Sequence, residues 1–540
     1  MGKPSVDYSL YLVTDSTPAI LGDRDLCDVV EAAVRGGVTC VQFRDKTSST
    51  GDLIATARRL HAVTQQYNVP LLINDRADVA LAVGCEGVHI GQDDLELPLA
   101  RKLLGPDAII GVTVSTIDEA LRACEDGADY LGIGTVYATS TKKDTKNIIG
   151  TAGVRRILEA THAIRSKSDK VRAVCIGGIN ESNVQRILYQ TRLGFNRLDG
   201  VAVVSAIVAA ENPEAAAQRL CNLIAMPPPF KTGQYIASPS EAHGIVEQVP
   251  KIIRAVHAAT PLSHNMTNLV VQNFAANVAL AMGASPIMAN YGEEAPDLCK
   301  LGGSLVINMG TVTPDGLANY VKALKAYNQA GGPVVLDPVG AGATSVRRSA
   351  VKAIMAAGYL DVIKGNEGEI KTVWFSGETD EAQQQHQQEQ QRGVDSSNTL
   401  DDEQKAWLVS RLALRERNVV IMTGRSDFVS DGYRTLRIDN GHAYLGMATG
   451  TGCVLGTAVS AALAAYRGDK LVAVVAAMLH FEIAAELAAA RPDVQGPGTF
   501  VPALLDELYR IRQATAEKND ITWLQRAKVV DILEDIDIED

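Results

Sequence analysis

Two groups of polar residues, each with the make-up of a phosphate-handling site, lie in separate stretches of the sequence. The first runs Gln42-Phe43-Arg44-Asp45-Lys46, Asn74-Asp75-Arg76, Gly91-Gln92-Asp93-Asp94, Thr139-Ser140-Thr141-Lys142-Lys143 and Gly177-Gly178-Ile179. Two carboxylates, Asp75 and Asp94, completed by substrate phosphate oxygens, are what Mg2+ takes, because it keeps waters and resists an all-protein cage. Arg44, Lys46, Asn74 and Lys142 supply donors for a pyrophosphate, arginine by bidentate contact and lysine as a point charge. The second group runs Asp337-Pro338-Val339-Gly340-Ala341-Gly342-Ala343, Lys364-Gly365-Asn366-Glu367, Met422-Thr423-Gly424 and Gly450-Thr451-Gly452-Cys453. Gly450–Cys453 opens a helical pattern, so backbone amides and the helix dipole both favour an anion there. Asp337, ahead of a glycine turn, could steer Mg2+ or water, while Lys364, Asn366 and Glu369 would position nucleotide phosphates and a hydrated metal. Neither group borrows from the other, which predicts two reactions.

Each piece alone has a plainer reading. Asp75 and Asp94 could cap the helices that follow, Thr139–Lys143 could be a solvated turn, and Cys453 could be a buried structural thiol. The functional reading rests on convergence, and so on the elements that position these residues. From Tyr8 to about Leu223, apolar runs alternate with helical patterns: 10–15, 40–45, 70–75, 87–91, 109–114, 130–134, 173–178 and 200–205. Continuous apolar strands separated by helices imply a parallel sheet buried on both faces. Eight such units point to a closed (β/α)8 barrel, whose active site forms at the carboxyl ends of the strands, with an open doubly wound sheet as the alternative. Gly177-Gly178 and Ser205, after strands seven and eight, fall where such barrels hold a phosphate on backbone amides. His89 lies within a strand and reads as a packing or supporting residue.

The prolines of Met226-Pro227-Pro228-Pro229-Phe230 break the alternation, so residues 229–240 read as a linker between domains 1–228 and 241–540. Beyond it an α/β pattern resumes with longer helices at 252–259, 269–282, 314–330, 453–466 and 471–490, and strands at 285–289, 304–308, 333–337, 361–364 and 419–423. That is a layered α/β domain. The glutamine-rich stretch 376–404 reads as a flexible surface insertion, and 531–540 as a solvated acidic tail.

The chain has 540 residues with a formal net charge of −12, which argues against a nucleic-acid or anionic-membrane surface. Eight cysteines without a C-x-x-C pair suit reduced thiols in the cytoplasm. No secretory pattern opens the sequence. The apolar stretch 471–490 carries His480, Glu482 and Glu486, so it reads as a buried helix and not a membrane span.

Over about residues 8–223 the sequence resembles the thiamine-phosphate synthases, through Gln42-x-Arg44-x-Lys46, Asn74-Asp75, His89-Ile90-Gly91-Gln92-x-Asp94 and Thr139-x-Thr141-Lys142-Lys143-Asp144. The resemblance implies condensation of 4-amino-2-methyl-5-pyrimidinylmethyl diphosphate with 4-methyl-5-(2-phosphooxyethyl)thiazole, giving thiamine monophosphate and pyrophosphate. It implies that Gln42, Phe43, Arg44, Asp45, Lys46, Asn74, Thr113 and Lys142 hold the pyrimidine diphosphate, with Arg44 and Lys142 catalytic. It assigns the thiazole phosphate to Thr139, Ser140, Thr141, Gly178, Val204 and Ser205. Thr113 stands where serine is common, and a hydroxyl remains.

Over about 245–515 the sequence resembles the hydroxyethylthiazole kinases, a branch of the ribokinase-like fold. The shared runs are Ser263–Asn268, Gly283–Met288, Asn308–Thr311 and Gly496–Phe500. This implies a thiazole alcohol near Asn268, Met288 and Gly450, and ATP near Lys364 and Thr423. Lys364 stands where arginine often occurs. Cys453 replaces the aspartate base of other ribokinase-like enzymes; a thiol is a poor base, although a helix N-terminus is expected to lower its pKa. Together the halves resemble fungal fused bifunctional enzymes of thiamine biosynthesis. Family analogy implies a homo-oligomer of kinase trimers, with a hexamer as the larger ring. The rivals are the same barrel fused to a hydroxymethylpyrimidine kinase, and a non-catalytic ligand-sensing protein.

Overall fold

The computed structural model describes residues 5–139, 148–168, 171–194, 196–231, 242–376 and 399–532. The chain divides into two compact units, Met1–Pro228 and Pro229–Asp540.

In the first unit eight parallel strands close into a barrel: β1 Leu10–Val13, β2 Cys40–Phe43, β3 Leu71–Asn74, β4 Gly87–Ile90, β5 Ile109–Val114, β6 Tyr130–Ile133, β7 Arg172–Ile176 and β8 Gly200–Val203. β1 pairs with β8, so the doubly wound alternative is excluded. The strands end one or two residues before most of the expected limits because the polar residues that follow leave the ladder for the rim. Four of the helices in this unit start on a capping side chain, Asp25, Ser49, Thr116 or Asn212. Asp25 accepts from the backbone N–H of Cys27 at 2.7 Å, and Thr116 with Glu119 forms a reciprocal capping box. Register sets Asn74 beside His89, His89 beside Gly111, and Thr113 beside Gly132.

The second unit is a nine-stranded sheet. In chain order its strands are β9 Leu262–Met266, β10 Ser285–Ile287, β11 Ser304–Asn308, β12 Val334–Asp337, β13 Val362–Asn366, β14 Val419–Thr423, β15 Asp427–Ser430, β16 Thr435–Ile438 and β17 Val529–Asp531. They lie in the order β10-β9-β11-β12-β13-β14-β15-β16-β17, with the last three antiparallel. Alternate residues of β11 face opposite ways: Val306 joins the core under the helices Thr451–Ala465 and Lys470–Ala489, while Leu305 and Ile307 join the core under Pro314–Ala330 and Ser345–Ala357. Both faces of the sheet are therefore covered, the layered arrangement expected of a ribokinase-like domain. Among the described residues, one helix, Lys470–Ala489, is long and apolar enough to cross a membrane; it is 89% buried inside its unit.

The sequence reading missed β9 and β15–β17, which are short and carry polar residues that blur their alternation. Three segments also differ from expectation. Phe230 is buried and stacks on Tyr359 with ring centroids 4.4 Å apart, so the start of the expected linker belongs to the second unit. Residues 399–404 of the expected insertion are ordered, because Glu367 accepts from the backbone of Thr399 and Leu400 and Asp401 caps the helix Asp402–Glu416. Asp531 belongs to an edge strand instead of a tail. The glutamine run and residues 533–540 lie outside the described residues.

Candidate active sites

In the barrel, the ends of β2, β3 and β4 bring the first group together. Asp75 leaves β3 at φ 62°, a left-handed conformation that aspartate tolerates better than most residues. Its N–H donates to His89 O at 2.8 Å, and its carboxylate lies 3.1 Å from Lys46 Nζ. Asp94 folds back to accept from Gly91 N–H at 2.7 Å. Burial first, and contact with the Asp75 carboxylate second, raise the Asp94 pKa. Two carboxylates pressed together, with Lys46 beside them, form a donor set that fits a divalent cation shared with phosphate oxygens.

Gln42, on β2, donates to Tyr11 Oη at 2.8 Å. Arg44 is fixed by its backbone N–H to Thr14 at 3.0 Å. Asp45 accepts from Thr47 and Ser48 of its own turn. Gly178, Val204 and Ser205 follow the neighbouring strands β7 and β8. Phe43 is buried as the last residue of β2, Asn74 ends β3, and Thr139 follows β6. Ser140, Thr141 and Lys142 lie outside the described residues. His89 contacts Tyr130 and Thr113, so it acts as a supporting residue.

In the second unit, the carboxyl ends of β11, β12 and β13 face the start of the helix Thr451–Ala465. Asp337, fully buried, lies 3.3 Å from Lys364 Nζ and accepts from Asn308 Nδ2 at 2.9 Å. Asn308 in turn accepts from Asn268 Nδ2 at 2.9 Å. Lys364 also donates to Gly452 O at 2.8 Å, tying the strand to the helix start. Burial pulls Lys364 down, but Asp337, Cys453 and Glu369 more than offset it and leave it raised. Gly450 precedes the helix at φ 89°, and a Cβ there would sit 2.3 Å from Val271 Cγ1, so only glycine fits.

Two of the expected site residues have surroundings that the sequence did not predict. Cys453, within 3.7 Å of Asn268 Nδ2, is pushed up to about 11 by burial and by Asp337, a net shift opposite to the lowering expected of a helix N-terminus. Glu369 accepts from Gly340 N–H at 2.7 Å and Asn366 N–H at 2.8 Å, so it clamps two turns beside the site. Burial, then Asp337, raises it to about 7. Thr423 ends β14 with its hydroxyl on Gly365 O, and Met288 follows β10 half-buried against the helical core. The sequence reading did not assign Asn308, the hub between Asn268 and Asp337; its place at a strand end two residues before a glycine was the available signal.

Residues 10–207 match the thiamine monophosphate synthase family and residues 253–514 the hydroxyethylthiazole kinase family. The chain is 42% identical to the probable thiamine biosynthetic bifunctional enzyme of Schizosaccharomyces pombe, covering 98% of this chain and 99% of that protein. It belongs to the thiamine biosynthetic bifunctional enzymes. The Saccharomyces cerevisiae thiamine biosynthetic bifunctional enzyme is 36% identical, covering 94% of this chain and 96% of its own. The hydroxyethylthiazole kinase of Moorella thermoacetica is 42% identical over 266 residues, 49% of this chain and 93% of that protein. The bifunctional enzyme thus carries a thiamine-phosphate synthase barrel and a hydroxyethylthiazole kinase domain, each with its own site.

Proposed function

We propose that the barrel condenses 4-amino-2-methyl-5-pyrimidinylmethyl diphosphate with 4-methyl-5-(2-phosphooxyethyl)thiazole, and that the kinase unit supplies the latter by phosphorylating the thiazole alcohol with ATP. The observation that supports the first step is the meeting of Lys46, Asp75 and Asp94 from three strand ends. The electron-rich aminopyrimidine carries positive charge on its methylene as diphosphate departs, and the thiazole nitrogen then attacks. Arg44, Lys46, Asn74 and Lys142 hold the departing anion in place; Gln42 and Thr113 orient the pyrimidine; Thr139, Ser140, Thr141, Gly178, Val204 and Ser205 hold the thiazole phosphate. Asp75 and Asp94 would hold Mg2+, which neutralises charge on the diphosphate.

For the kinase step, the supporting observation is the row Asn268–Asn308–Asp337–Lys364–Gly452 beside Cys453. Asn268, Met288 and Gly450 position the alcohol and Lys364 and Thr423 the ATP phosphates, while Asp337, Asn366 and Glu369 would hold a hydrated Mg2+ through its waters. A thiol held near 11 is scarcely ionised at neutral pH, so Cys453 positions the hydroxyl and does not take its proton. Exposed Leu269 and Val270, next to Asn268, suit a homo-oligomer with subunits meeting beside this site. Eight free cysteines suit a cytoplasmic enzyme.

Assays of 1–228 and 229–540, expressed separately, test the assignment: condensation belongs to the first piece and phosphorylation to the second. Offering the kinase the thiazole and the hydroxymethylpyrimidine alcohols side by side separates the rival kinase. Lys142→Ala is expected to slow condensation on the order of 10²-fold, as for loss of one preorganised donor; near-normal turnover removes Lys142 from the mechanism.

A further inference from the structure

We propose that five side chains inside the barrel form one ordered row of hydrogen bonds that makes Gln42 an acceptor and Thr113 a donor toward the pyrimidine ring. The proposal rests on the assignment of both residues to the pyrimidine given above. Gln42 Nε2 lies 2.8 Å from Tyr11 Oη, Tyr11 Oη 2.7 Å from Tyr130 Oη, Tyr130 Oη 2.7 Å from His89 Nδ1, and His89 Nε2 2.7 Å from Thr113 Oγ1. Each phenol has a single proton to give. Tyr11 accepts from Gln42, so its own proton goes to Tyr130. Tyr130 then gives its proton to His89 Nδ1, and a neutral imidazole must carry its proton on Nε2 and donate it to Thr113. The threonine hydroxyl proton is left to point outward, and Gln42 Oε1 is left as an acceptor.

Turning the Gln42 amide over reverses every bond in the row, so its two ends are coupled. An aminopyrimidine presents an amino N–H beside a ring nitrogen, which complements an acceptor at one end and a donor at the other. The reversed row would set amide N–H against amino N–H. The barrel makes room for this row: a Cβ at Gly111 would fall 2.0 Å from the Tyr130 ring, and one at Gly132 would fall 2.8 Å from His89 Cε1. Tyr11 and Tyr130 are fully buried, and that burial raises both phenols far above their ordinary values, so neither loses its proton to the solvent. Tyr11, Tyr130 and His89 are thus positioning residues.

The row is tested on the full-length protein labelled with 15N-histidine, the His89 signals being those lost in His89→Asn. Before substrate is added, the proton is expected on Nε2 with Nδ1 bare. Tyr130→Phe removes the central link; it is expected to release the fixed tautomer and raise KM for the pyrimidine diphosphate about tenfold, with kcat and the kinase activity unchanged. Tyr11→Phe leaves the Tyr130–His89 bond and is expected to raise the same KM about threefold. If Tyr130→Phe does not fold, the wild-type spectrum and Tyr11→Phe carry the test. A proton on Nδ1 in the wild type overturns the proposal. So does a folded Tyr130→Phe protein, its kinase intact, that keeps both tautomer and KM. Expected spectra combined with an unchanged KM in both Gln42→Leu and Thr113→Val overturn the pyrimidine assignment and the proposal with it.

Discussion

Both sites place a lysine against an aspartate at the end of a parallel strand, but in different surroundings. In the barrel, Lys46 and Asp75 lie 3.1 Å apart with side chains 56% and 21% exposed. In the kinase, Lys364 and Asp337 lie 3.3 Å apart with side chains 4% and 1% exposed. The solvated pair contributes little to stability and can give up its partner to an incoming diphosphate. The dry pair is part of the fold: two strands and a helix start meet on it, and removing either charge strands the other in apolar surroundings. The proposed barrel site is therefore free to reorganise, whereas the proposed kinase site is held by buried contacts.

The sharpest way to break this contrast is Lys364→Ala. It is expected to destabilise the kinase unit by about 3–5 kcal/mol and remove phosphorylation, because Asp337 is left buried and unpaired. Denaturant unfolding followed alongside both activities checks this; an unfolding curve like the wild type's would mean the pair is not structural. The matching change, Lys46→Ala, is expected to cost less than about 1 kcal/mol of stability yet lower condensation about 10²-fold. A large stability loss there would erase the distinction between the sites.

Cys453→Ser sharpens the kinase side. With the thiol pushed up to about 11, its replacement is expected to leave the shape of the kinase pH profile unchanged between about pH 6 and 9, with kcat within about tenfold. A limb that disappears in the variant would restore Cys453 as the base. The smallest effect is expected from Glu482→Gln. Glu482, buried on the helix Lys470–Ala489, is raised well above its ordinary value by burial and then by Asp427 on β15, itself raised to about 6 chiefly by burial. Raised folded-state values stabilise at low pH, and that contribution is lost as pH rises through about 6 for Asp427 and higher for Glu482. The variant is therefore expected to gain on the order of 1 kcal/mol over the wild type at pH 8 but not at pH 5, read from melting curves.

Much of this was legible from sequence because the barrel writes itself locally. Each strand is a short apolar run ended by a polar residue, so Asn74 and Asp75 could be placed at a strand end and the rim by counting, whereas Thr113 was reached only through the family resemblance. The kinase sheet was less legible where strands are polar: β9 reads Leu262-Ser263-His264-Asn265-Met266, and its buried polar groups bond to groups far along the chain, Ser263 to Ser460 and Asn265 to Thr457. No local pattern announces a strand whose polar side chains are satisfied from distant helices. For the same reason Glu367 looked like part of a nucleotide turn, when its contacts with Thr399 and Leu400 make it an anchor for the returning chain.

The sequence by itself determined the two-unit organisation and the residue types at each site, since strand-end position and side-chain chemistry are local properties, and its motifs carried the resemblance to both families. Only the tertiary structure decided the burial and the partners of those groups. Burial pushes the Cys453 thiol up and seals Lys364 onto Asp337; the closed barrel joins Gln42 to Thr113 through Tyr11, Tyr130 and His89. Such properties depend on solvent exclusion and on neighbours brought in from elsewhere in the chain, and a linear sequence encodes neither until the chain has folded.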